Sequence, residues 1–118
     1  MISIARAPAA HDLKGVAELL RGPLERAGVR RAIAFGSYAR GVQDGFSDLD
    51  LAVVLETDLP RLERHRALPE LFAACPVGLD LLVYTPEEFE AGWRAGYDVF
   101  DSLRREGVTI HERGARPV

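Results

Sequence analysis

The chain has 118 residues, 47% of them hydrophobic and 28% charged, with a formal net charge of −3. That length supports a single domain over residues 1–118 and excludes a two-core enzyme, while the acidic balance excludes a surface devoted to nucleic-acid phosphates. One cysteine, Cys75, excludes an internal disulfide and a thiolate metal cage, and neither a signal-peptide core in MISIARAP nor an apolar run near the ~18 residues of a membrane span is found, so a cytoplasmic protein is expected.

Residues 10–21 (AHDLKGVAELLR) carry Leu13, Val16, Ala17 and Leu20 at helical spacing; Gly22-Pro23 is expected to interrupt that helix before a further turn closed by Gly28. Residues 30–35 (RRAIAF) read as a strand ending at Gly36, and residues 48–55 (DLDLAVVL) as a second strand, apolar enough in its later part to be central. Residues 60–74 read as helix, with Pro69 marking a kink or a break into two short helices. A third strand covers 78–84 (GLDLLVY). Thr85-Pro86-Glu87-Glu88 then combines an N-cap, a first-turn proline and a glutamate at the third helical position, which predicts a helix start. A last helix near 99–105 and a strand at 108–111 complete an α/β domain. Phe89, Trp93, Tyr97 and Phe100 read as core aromatics, and His11, His65 and His111 as scattered surface histidines.

The chemistry gathers where strands begin and end. Antiparallel pairing of the first two strands puts Gly36-Ser37 at the same end of the sheet as Asp48 and Asp50. The crossover before the third strand is long enough to make it a parallel neighbour of the second, bringing Asp80 to that end too. Asp48 and Asp50 are two apart, so both side chains leave one face of a strand. Carboxylate oxygens suit Mg²⁺, and shared acids can hold two such ions against a phosphate and an attacking oxygen. Gly36 permits close backbone approach, Ser37 offers a hydroxyl, and Arg40 a planar charge for a triphosphate. Asp44 is an equal candidate as an Arg40 partner on the surface. Ser47 stands where it can hold the turn that aims Asp48.

The run GSYARGVQDGFSDLDLAVVL at residues 36–55, with Asp80 in GLDLLVY, resembles the signature of minimal nucleotidyltransferases of the polymerase-β-like superfamily. The likeness covers about residues 13–84. It implies an α/β (α+β) fold with a small mixed sheet flanked by helices. It also implies transfer of a nucleoside monophosphate from ATP or another NTP to a hydroxyl with two Mg²⁺ ions: Asp48 and Asp50 as metal ligands, and Asp80 as acceptor-side ligand and general base. Gly36, Ser37, Arg40 and Ser47 form the implied nucleotide-binding set. The spacer 42–46 (VQDGF) lacks the cation that many relatives carry, which implies weaker phosphate neutralisation.

Larger relatives append a domain that binds the acceptor, so an acceptor site supplied by another chain is expected. Stand-alone proteins of this kind resemble antitoxins paired with a HEPN-domain toxin, and the expected acceptor is a hydroxyl of that toxin, in a hetero-oligomer or homo-oligomer. The alternatives are an antitoxin that acts by binding alone and a transferase acting on a small molecule such as an aminoglycoside.

Overall fold

A computed structural model describes residues 11–97 and 99–113. The first helix, α1 (Leu13–Arg26), starts at Asp12, whose carboxylate accepts the Gly15 N–H at 2.9 Å. The expected first residue of that helix, Ala10, lies outside the described residues. The interruption expected at Gly22-Pro23 does not occur: Pro23 sits inside α1, buried with Val16, Leu20 and Leu24. Burial of that whole face outweighs the roughly 3 kcal/mol that an interior proline costs a helix. Gly28, at φ 76°, then reverses the chain.

The remaining elements follow in the order β1 (Arg31–Phe35), α2 (Ser37–Arg40), β2 (Leu49–Val54), a 3₁₀ segment (Arg61–Ala67), α3 (Pro69–Ala74), β3 (Leu79–Tyr84), α4 (Pro86–Ala95), α5 (Val99–Glu106) and β4 (Val108–Glu112). Pro69 therefore divides its helical stretch in two, because a residue preceding proline is driven out of the helical region. Leu68 duly has φ −130° and ψ 43°. Thr85 caps α4 in full: its hydroxyl accepts the Glu88 N–H at 3.2 Å and Glu88 Oε1 accepts the Thr85 N–H at 3.0 Å.

The four strands form one mixed sheet in the order β3-β2-β1-β4. β1 is antiparallel to β2 and to β4, and β2 is parallel to β3. Alternation along the strands divides the core. Ala32, Ala34, Leu49, Leu51, Val53 and Val83 face α1 and α3, while Ile33, Ala52, Val54 and Tyr84 meet Phe89, Phe100 and Leu103 of α4 and α5. Asp50 belongs to the second face, two residues before Ala52. No helix among the described residues is long and apolar enough to cross a membrane.

Buried Arg64, in the 3₁₀ segment, ties that segment to the sheet. Its guanidinium donates to the carbonyls of Leu59 and Val83 and to both carboxylate oxygens of Glu88, the closest contact at 2.6 Å. Glu88 thus serves both a helix cap and an ion pair, and the Arg64 hydrogen bond chiefly holds its carboxyl down to about 2.

Candidate active site

Strand register brings two of the three aspartates directly together. Asp50 lies opposite Asp80 across the parallel β2–β3 pair and opposite Phe35 across the antiparallel β1–β2 pair. Asp50 is half-buried, whereas Asp48 and Asp80 are exposed. Burial is the main cause that pushes the Asp50 carboxyl above its ordinary range; the charge and hydrogen bond of Asp80 and the charge of Asp48 add to it, and Arg40 opposes.

Asp48 stands beside this pair but is turned toward the chain entering β3. Its Oδ1 lies only 2.1 Å from where the Cβ of a larger residue at position 78 would stand, so any side chain there would displace the Asp48 carboxylate. Among the described residues, no three acid, imidazole or thiol groups converge tightly enough to form a ready-made metal cage. What is built is a closely opposed Asp50–Asp80 pair with Asp48 alongside. That set is all oxygen, and two carboxylates in mutual contact hold excess negative charge that a cation neutralises, so the residues fit a hard divalent ion.

The turn between β1 and α2 closes over the same acids. Gly36 has φ 76° and ψ −152°, a region essentially reserved for glycine, and a Cβ there would meet Asp50 Oδ2 at 2.1 Å. Ser37 opens α2, half-buried, and its hydroxyl makes no hydrogen bond to another described residue. Ser47 pins the approach to β2: its Oγ accepts the Asp44 N–H at 3.0 Å and donates to Asp44 Oδ1 at 3.3 Å, and Asp44 Oδ1 also accepts the Phe46 N–H at 2.8 Å. Asp44 is therefore engaged in its own turn.

The Arg40 partner is Glu106, the last residue of α5, rather than Asp44. Arg40 Nη1 donates to Glu106 Oε1 and Oε2 at 3.3 and 3.2 Å, and the Gly36 N–H donates to the same Oε2 at 3.2 Å. Sequence reasoning missed Glu106. Its one signal was an acid at a helix C-terminus, where the helix dipole disfavours negative charge. A recess of about 270 Å³ lies apart from this site, between the 3₁₀ segment and β3 under Arg61, Leu62, His65 and Leu81, and contains no acid.

The geometry agrees with what comparison with known proteins finds. No protein of curated function matches the chain. Solved structures share its fold, among them the following three. A toxin–antitoxin with AMP-PNP superposes with a TM-score of 0.59 at 21% identity, over 83% of this chain and 74% of that one. A putative nucleotidyltransferase from Sulfolobus solfataricus gives 0.54 at 17% identity, over 83% and 81%. A mutant of the toxin–antitoxin MntA-HpeT gives 0.51 at 20%, over 88% and 75%. The sequence model described as "Nucleotidyltransferase domain" matches residues 16–113, which takes in β1 through β4 with Asp48, Asp50, Asp80 and Glu106, and the chain accordingly belongs to the nucleotidyltransferase domain family.

Proposed function

We propose that this protein is a Mg²⁺-dependent nucleotidyltransferase that moves AMP from ATP to a hydroxyl of a HEPN-type toxin and thereby acts as its antitoxin. The observation that carries the reading is the meeting of Asp50 and Asp80 across β2 and β3, beside the Gly36-Ser37 turn. Support for an antitoxin comes from two similar structures that are toxin–antitoxins, and support for an adenine nucleotide from the one with AMP-PNP. The HEPN identity rests on the resemblance of residues 36–55 to minimal nucleotidyltransferases.

In this reading Asp48, Asp50 and Asp80 would hold two Mg²⁺ ions, which would supply electrophilic stabilisation of the phosphates and make the acceptor hydroxyl easier to deprotonate. Ser37 and Arg40 bind the β- and γ-phosphates and hold the triphosphate in line. The acceptor oxygen bonds to the α-phosphorus as the bond to the pyrophosphate oxygen breaks, and pyrophosphate leaves. Asp80, the more exposed member of the acid pair, takes the hydroxyl proton.

The test mixes the purified protein with Mg²⁺, each α-labelled NTP in turn and the toxin encoded beside it. Label from ATP is expected on the toxin, abolished by Asp48→Asn with Asp50→Asn. Neutralisation that survives both substitutions, with no label transferred, would establish an antitoxin that acts by binding alone.

A further inference from the structure

We propose that Glu106 is a positioning residue that sets Arg40 and the Gly36 turn for the triphosphate. This rests on the nucleotidyltransferase reading above and extends it to a residue outside the motif, 70 positions from Gly36.

The contact joins three elements across the edge of the core: the turn after β1, the end of α2 and the end of α5. Both Glu106 oxygens engage a single guanidinium nitrogen of Arg40, Nη1, leaving its Nη2 and Nε without a hydrogen bond to any described residue. One edge of the fork is therefore anchored and the other is available to an anion. The Gly36 turn that shares Glu106 with Arg40 closes over Asp50, so the anchored fork belongs to the end of the sheet that carries the acids. The Glu106 side chain is only 20% exposed against 50% for Arg40, the arrangement of a support behind a presenting group.

Glu106 also contradicts its local setting. It follows Arg104 and Arg105, whose charges suit a helix C-terminus, with a carboxylate, whose charge does not. A residue that breaks a local rule is expected where it serves something beyond local stability. Here the compensation comes from Gly36 N–H and Arg40, both from the site. Glu106 thus restricts the rotamers of Arg40 before nucleotide arrives and fixes the peptide of Gly36, whose backbone must pass close to Asp50.

The experiment is a double-mutant cycle read by nucleotide affinity, with ATP, GTP, CTP and UTP tested in turn as Mg²⁺ complexes. Glu106→Ala is expected to weaken binding of the preferred nucleotide about tenfold, the scale of losing a charge-assisted hydrogen bond. Arg40→Ala should weaken it at least as much, and adding Glu106→Ala to Arg40→Ala should cost less than about a further twofold. Glu106→Gln, isosteric and retaining an acceptor oxygen, should recover most of the affinity and guards against a folding defect in the alanine variant. Additive losses, a glutamine variant as weak as the alanine one, or a Glu106→Ala protein that binds as tightly as wild type or tighter, each overturn the role assigned to Glu106 and leave the nucleotidyltransferase reading standing. Failure of the wild-type protein to bind any of the four overturns both.

Discussion

Replacing Gly36 by alanine separates what the site demands of the backbone from what it demands of space. At φ 76° and ψ −152° the residue lies where an L side chain costs about 1–3 kcal/mol. For a domain of this size that is a loss of roughly 4–12 °C in melting temperature. The new methyl would start 2.1 Å from Asp50 Oδ2 and 3.1 Å from its Cγ, so the carboxylate must retreat by about 0.9 Å to reach even the 3.0 Å limit of real contacts. A side chain can rotate away at little cost in stability, but a displacement near 1 Å at a reacting centre costs on the order of 100-fold in function. Gly41→Ala is the matched control: it too has positive φ, 74°, yet nothing lies within 4 Å of its Cβ. Calorimetry should therefore show both variants destabilised. Mn²⁺ binding in the presence of ATP should collapse only in Gly36→Ala. Equal binding by the two variants, or a Gly36→Ala protein that melts and binds as wild type, would refute the reasoning.

Three further outcomes are expected. Asp50→Asn removes a carboxylate held above its ordinary range by burial and by Asp80, so the metal-free protein should melt at a higher temperature at neutral pH while metal binding is lost; a lower melting temperature would contradict this. Glu88 has its folded pKa lowered from 4.5 to about 2, so its contribution is fully present above the unfolded value and disappears as pH falls from about 4.5 through 2. Discounted for a side chain that is 32% exposed, that contribution is about 2 kcal/mol, and urea unfolding of Glu88→Gln should lack the corresponding part of the wild-type loss between pH 6 and 2.5. Gly92→Ala should destabilise by about 1–3 kcal/mol despite the better helix propensity of alanine. The added methyl would sit 2.1 Å from a ring carbon of Phe100, and a stabilised variant would show that α4 and α5 are not locked together there.

The features legible in the sequence are those written in short-range geometry. Asp50 lies on the same sheet face as Ala52 and Val54 because side chains alternate, and Thr85 with Glu88 closes a capping box because both partners lie within one helical turn. Strand direction was read from the connections: a turn-rich return after Gly36 suits antiparallel β1 and β2, and the longer helical crossover before Asp80 permits parallel β2 and β3. The fold class and the end of the sheet where the acids gather were thereby determined by sequence alone.

Tertiary structure decided which groups actually touch. Whether Gly22-Pro23 breaks α1 depends on how much apolar surface its neighbours bury, a quantity that exists only once the sheet is in place. Register puts Asp50 against Asp80 but leaves Asp48 turned over Gly78, a distinction invisible to spacing. Asp44 stood four residues from Arg40 and was a plausible partner, yet Ser47 and the Phe46 amide engage its carboxylate, while α5 delivers Glu106 from the far end of the chain. Local sequence fixes periodicity and turns because these depend on neighbouring residues; the partner of a charged side chain depends on which distant element is packed beside it, and here that choice set the surroundings of the site.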